Sequence, residues 1–155
     1  MLVPGSGPIY LVDGSVQNLT GNLPHDTEST ETQGKRPRLL VVDDEKLIAD
    51  TCCEILEDAG FHARPAYDGW AALQMAAEFR PDFLLTDVLM PRMNGVELAI
   101  AISRMFPGTK ILLFSGQAGI SEILLDGHNR GYEFELVAKP IHPMKLIESL
   151  RKERR

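Results

Sequence analysis

The sequence predicts an α/β sandwich built on a parallel sheet, and three features point there. Short apolar runs recur along the chain: Leu39-Leu40-Val41-Val42, Phe83-Leu84-Leu85-Thr86, Ile111-Leu112-Leu113-Phe114 and Leu136-Val137-Ala138. Runs of this length and composition read as strands buried on both faces. Helical patterns separate them, so a βα unit repeats five times, which calls for a parallel sheet with right-handed crossovers. Each run also ends in polar residues: Asp43-Asp44, Asp87, Ser115 and Lys139-Pro140. Ligands of open parallel sheets bind outside the carboxyl ends of the strands. Three carboxylates, a hydroxyl and an ammonium are therefore expected on one edge.

The elements follow in order. Ile48, Cys52, Ile55, Leu56 and Ala59 recur at helical spacing and predict one inward face, with Gly60 as the stop. Phe61 to Ala66 predicts a short strand, and Pro65 within it places that strand at an edge. Asp68 is suited to cap a helix running through Trp70, Leu73 and Ala77 to Phe79, with Trp70 as core or partly exposed packing. Pro81 marks the turn into the strand ending at Asp87. Leu98, Ile102, Met105 and Phe106 predict a third helix closed by Pro107-Gly108. A weaker fourth helix is expected around Ile120 to Leu125, with Gly119 and Gly127 at its ends. The last helix starts near Pro143 and turns Leu146, Ile147 and Leu150 inward. The basic ending Arg151 to Arg155 suits a helix C-terminus.

Composition bounds the function. The 155 residues suffice for one core without staples, and 44% apolar and 25% charged residues are ordinary for a soluble globular protein. A net charge of −6 and no basic stripe argue against a nucleic-acid partner. Cys52 and Cys53 are adjacent and make neither a disulfide framework nor a metal pattern, which points to a reducing compartment. Neither a signal peptide nor a run near the ~20 residues of a membrane span is evident, so no membrane role and a cytoplasmic location are expected. The dispersed His62, His128 and His142 form no catalytic constellation, and the methionines are expected to fill core and loops. Residues 1–36, rich in Gly, Pro and polar side chains, are expected as a flexible extension. Within it Ile9-Tyr10-Leu11-Val12 is suited to a short edge strand or a docking peptide.

Three carboxylates brought together repel by about 4 kcal/mol per pair at 4 Å and an effective dielectric near 20. Lys139 and a hard cation with oxygen ligands, Mg²⁺, are the available compensation. No His or Cys shares the edge, so zinc is disfavoured. The set suits phosphoryl transfer, in which positioning and charge neutralisation dominate. A carboxylate nucleophile forms an aspartyl phosphate. Asp87, the single acid on the central strand, is the candidate nucleophile, with Asp43 and Asp44 serving the metal. Lys139 and the Ser115 hydroxyl are suited to hold phosphoryl oxygens.

Val41-Val42-Asp43-Asp44-Glu45, Thr86-Asp87-Val88-Leu89-Met90-Pro91-Arg92-Met93-Asn94-Gly95, Ser115-Gly116 and Lys139-Pro140 together resemble the receiver domain of two-component response regulators. The resemblance covers about residues 38 to 152. It implies a flavodoxin-like (βα)5 three-layer sandwich with a five-stranded parallel sheet in the order 2-1-3-4-5, and a receiver domain over residues 37–155. It further implies that Asp87 is the phosphoacceptor and that Asp44 and Asp87 ligate Mg²⁺, with Asp43 acting through water. The Leu89 carbonyl is implied as a backbone ligand, Ser115 as the switch hydroxyl, and Lys139 as the phosphate-binding lysine before a cis bond to Pro140. One position departs: Leu136 stands where the family commonly has Tyr or Phe, and Phe134 shares its strand face.

The resemblance implies a signalling phosphoacceptor that promotes its own phosphorylation and dephosphorylation and is not an enzyme in the ordinary sense. Its partners would be a sensor histidine kinase or histidine phosphotransfer protein and a downstream protein target, with a homodimer left open. The chain ends soon after the fifth helix, so a stand-alone receiver acting through the surface of the fourth helix, fifth strand and fifth helix is expected. Leu136 and the extension keep a second reading open, a phosphorylation-independent interaction module. An aspartyl-nucleophile phosphatase leaves Asp87 and Lys139-Pro140 unexplained, and flavin binding lacks a phosphate loop after the first strand.

Overall fold

A computed structural model describes residues 35–116, 120–139 and 142–153. The residues 9–12 read as a strand or docking peptide, Gln117 to Gly119 and the Lys139–Pro140 bond lie outside them or at their limits. The described residues form β1 (Arg38–Val42), α1 (Lys46–Asp58), β2 (His62–Ala66), α2 (Gly69–Phe79) and β3 (Phe83–Asp87). They continue as α3 (Gly95–Met105), β4 (Lys110–Ser115), α4 (Ser121–Asn129), β5 (Glu135–Ala138) and α5 (Pro143–Glu153). The sheet is parallel throughout, in the order β2-β1-β3-β4-β5. This is the flavodoxin-like arrangement that the resemblance implies.

Two cores flank the sheet. Leu39, Val41, Leu85, Leu112 and Phe114 face α1 and α5 and meet Ala49, Leu56, Leu146 and Leu150. Leu40, Val42, Leu84 and Leu113 face the other way and meet Ala72, Ala76, Leu98 and Ile102 of α2 and α3. The alternation follows from the two-residue period of a strand. β1 and β3 are buried almost throughout, whereas β2 and β5, at the edges, are half open. Pro65 sits in the edge strand, where its missing N–H costs no ladder bond.

Several helix faces differ from the sequence reading. In α1 the buried seam is Ala49, Cys53 and Leu56, and Ile48, Cys52, Ile55 and Ala59 flank it. The small Ala49 and Cys53 let the helix axis approach the sheet, and the larger isoleucines wedge in at its sides. α2 likewise turns Ala72, Ala76 and Phe79 inward, leaving Trp70 61% exposed at the first turn and Ala77 in solvent. Met105, expected inside, is 46% exposed in the last turn of α3. Gly127 is not the end of α4 but a buried position within it; a Cβ there would stand 2.8 Å from Val96 Cγ1. Glycine is what lets α4 close on α3.

Caps set the helix starts beside the sheet edge. Asp68 accepts a hydrogen bond from the Ala71 N–H at 2.7 Å. Asn94 and Glu97 form a reciprocal capping box on α3, at 2.8 and 2.9 Å. Arg151 of α5 donates to the Ala59 carbonyl at the end of α1, at 3.2 Å. The tightest constraint is Gly95, where an added Cβ would lie 2.0 Å from the Asp87 carbonyl oxygen. We expect Gly95→Ala to cost about 2–3 kcal/mol, as overpacking against backbone does. Gly108→Ala, with nothing within 4 Å of the new atom, should change stability far less when both variants are compared by urea titration.

Candidate functional site

The ends of β1, β3, β4 and β5 bring the expected side chains together. Register pairs Val42 with Thr86, Asp87 with Phe114, and Ser115 with Ala138. Asp43, Asp87, Ser115 and Lys139 therefore meet on one edge although they are far apart in the chain. Asp43 is 2% exposed, Ser115 5% and Asp87 8%, while Asp44 stands in solvent beside them. One carboxylate oxygen from each of Asp43, Asp44 and Asp87 lies within 4.8 Å of the others.

Asp43 is fully engaged. Its Oδ1 accepts the Glu45 N–H at 2.9 Å, which fixes the turn into α1. Its Oδ2 accepts from Lys139 Nζ at 2.8 Å, joining β1 to the end of β5. The ammonium lies 3.6 Å from Asp87 Oδ1, beyond hydrogen-bond length, and 4.9 Å from the centre of the Phe114 ring. Asp87 Oδ1 is buried and has no hydrogen-bond donor among the described residues. The Asp87 main chain is nonetheless pinned, since Thr86 Oγ1 donates to its carbonyl at 3.0 Å. Glu45, Thr86, Phe114 and Gly95 are contributions that the sequence reading did not single out. Glu45, Thr86 and Gly95 were present in the quoted motifs, whereas nothing in the sequence signalled Phe114.

The electrostatics follow from burial and crowding. Burial, then the Asp43 charge, pushes the Asp87 carboxyl up to about 6; Lys139 and a main-chain hydrogen bond pull the other way and Asp44 adds to the rise. Burial disfavours the Lys139 ammonium, but the hydrogen bond to Asp43 and the charges of Asp43, Asp87 and Glu45 outweigh it, so its pKa is raised. One lysine does not neutralise three carboxylates. A buried carboxylate oxygen without a donor, facing two more acids, is a donor set that fits a hard divalent cation. Burial pushes the Cys53 thiol up to about 12, which leaves it unreactive, and both cysteines are free.

Leu136 is 42% exposed, so the position of the family aromatic is open to solvent. Phe134, expected on the same strand face, lies just ahead of β5 and stacks on Tyr132 with ring centroids 5.8 Å apart. Val96, Leu113, Leu124, Phe134 and Leu136 line a cavity of about 160 Å³ beneath α4.

The family described as "Response regulator receiver domain" matches residues 39–151. The chain belongs to this family. It is 31% identical over 116 residues to the DNA-binding response regulator MtrA of Mycobacterium tuberculosis, covering 75% of this chain and 50% of that protein. The chain thus spans about half the length of the MtrA relatives it matches. Against the chemotaxis protein CheY of Thermotoga maritima identity is 29%, over 74% of this chain and 95% of that one. The structure of CheY4 from Vibrio cholerae superposes with a TM-score of 0.68 at 28% identity, over 76% of this chain and 98% of the other. Receivers are signalling phosphoacceptors, and Mg²⁺ bound in an acidic pocket is general to them. No helix among the described residues is long and apolar enough to cross a membrane.

The raised Asp87 pKa has a direction that can be measured. A group titrating higher in the folded than in the unfolded state stabilises fully below its unfolded value, here 3.8, and that stability is lost as pH rises through about 6. Metal-free protein should therefore lose roughly 2–3 kcal/mol from this group between pH 4 and 7. Asp87→Asn should flatten that part of the profile, and Mg²⁺ should restore stability at pH 7 to the wild type alone. Urea melts across pH would read all three effects.

Proposed function

We propose that the chain is a response regulator receiver that takes a phosphoryl group on Asp87 from a phosphohistidine, on a histidine kinase or phosphotransfer protein, and signals through a protein partner. The observation that carries this reading is the buried, undonated Asp87 Oδ1 facing two further acids and one lysine. In the transfer, an Asp87 carboxylate oxygen attacks phosphorus as the P–N bond of the donor breaks, and the imidazole leaves with its electron pair. Asp44 and Asp87 would hold Mg²⁺ directly, with the Leu89 carbonyl as a third ligand and Asp43 through water. Bound there, the ion supplies charge neutralisation and a template for the phosphoryl oxygens.

The remaining roles belong to side chains. Lys139, kept an ammonium by Asp43, faces another phosphoryl oxygen, and the Ser115 hydroxyl donates to a third. The exposed Leu136 and the engaged Phe134 favour an output that differs from an inward-turning aromatic at position 136. Mass measurement after incubation with Mg²⁺ and acetyl phosphate should find one base-labile phosphoryl adduct on wild type and none on Asp87→Asn. Lys139→Ala should reduce adduct formation about tenfold or more, since it removes the ammonium that faces Asp87. An adduct that persists in Asp87→Asn would overturn the assignment. Partner binding that is equal with and without the phosphodonor would favour the phosphorylation-independent module.

A further inference from the structure

The loop from Asp87 to Gly95 is bound at its middle as well as its ends. At the ends, the Gly95 N–H donates to the Val88 carbonyl at 2.7 Å, and the Gly95 α-carbon leaves no room for a side chain against Asp87. In the middle, the Met93 N–H donates to the Pro91 carbonyl at 2.7 Å, closing a three-residue turn around Arg92. Arg92 adopts φ 70°, a left-handed conformation that side chains other than Asn, Asp and Gly rarely take. Tight turns with a positive φ at the central residue are rare and strained. Such conformations persist only where the surroundings hold them.

Two contacts at the start of α2 flank this turn. Met93 fills the space that a Cβ on Gly69 would occupy, with its Sδ 2.5 Å and its Cβ 2.9 Å from that position. Next to it, Arg92 Nη2 lies 3.7 Å from Asp68 Oδ2, while Asp68 uses its other oxygen to cap α2. Arg92 therefore combines a strained backbone with a tether to a capped helix N-terminus. The segment between these anchors, Val88 to Met90, contains Leu89.

We infer that Arg92 and Asp68 form a latch that positions the loop after Asp87, so that the pair sets Mg²⁺ affinity without touching the ion. The inference rests on the receiver reading for its functional consequence. It extends that reading to two residues outside the acid cluster.

Charge sign separates a latch from a field effect. Removing the Arg92 cation near a bound cation would tighten Mg²⁺ by through-space electrostatics, whereas loss of the latch weakens it. Asp68→Asn keeps a side-chain oxygen for the cap and loses only the charge facing Arg92. Calorimetric titration of the full chain with Mg²⁺ should show both Arg92→Ala and Asp68→Asn weakened roughly two- to five-fold, the range of an exposed ion pair. The two changes should not add in the double variant, and Arg92→Lys should recover part of the loss. Hydrogen exchange without metal should also quicken at the Gly95 amide in both variants, with thermal unfolding of Asp68→Asn unchanged. Tighter binding in Arg92→Ala, or additive losses, would overturn the latch. If wild type binds no Mg²⁺, the receiver reading fails separately, and unaltered exchange at Gly95 in both variants would then also sink the latch.

Discussion

A single ion pair, Lys139 to Asp43 across 96 residues of chain, closes the functional edge of this sheet. Both partners are largely withdrawn from water, with 18% and 3% of their side chains exposed. Buried ion pairs often add little net stability, because desolvation offsets the Coulomb gain. This one has another consequence. It commits the site's ammonium to Asp43 and leaves Asp87 with a charge 3.6 Å away but no hydrogen bond at its buried oxygen. The acid proposed as phosphoacceptor is therefore the one whose buried oxygen the fold leaves without a hydrogen bond.

The scaffold reaches this state through short hydrogen bonds between side chains and main chain and one close glycine contact. Thr86 ties the Asp87 carbonyl, and Gly95 approaches that same carbonyl too closely for any other residue. The Asn94–Glu97 box then starts α3 immediately after the loop. Asp43 is fixed on the other side by the Glu45 N–H. Polar groups held in this way need little reorganisation when charge moves beside them. The α4 side is built differently. Gly127 is its one buried helix residue among those described, and a solvent-open depression lies beside it. That contrast places dense packing at the acid cluster and a more exposed arrangement at the α4–β5 face.

What was legible in the sequence was periodic or terminal. Strands β1, β3 and β4 announce themselves as continuous apolar runs because both faces are buried, and their last residues mark the edge where ligands collect. Pro65 and Asp68 act through their own backbone and cap chemistry, so edge and helix start could be read locally. The helix faces could not. Ala49 and Ala72 are inward because small residues allow close approach to the sheet, whereas hydrophobicity alone favours Ile48 and Trp70. The Asp68–Arg92 and Lys139–Phe114 contacts join distant segments and leave no periodic trace. The roles proposed for Asp87, Ser115 and Lys139 came from motif resemblance; the structure adds the burial of Asp87 and Ser115 and the 3.6 Å between Lys139 and Asp87.

The central claim is that Asp43, Asp44 and Asp87 are kept together for a divalent cation, with Lys139 as partial compensation. Calorimetric titration of wild type and Asp44→Asn with Mg²⁺ tests it most directly, because Asp44 is exposed and its replacement should leave the fold in place. The account predicts one Mg²⁺ per chain in wild type and an affinity at least about tenfold weaker in Asp44→Asn. Equal affinity in the two proteins would contradict it.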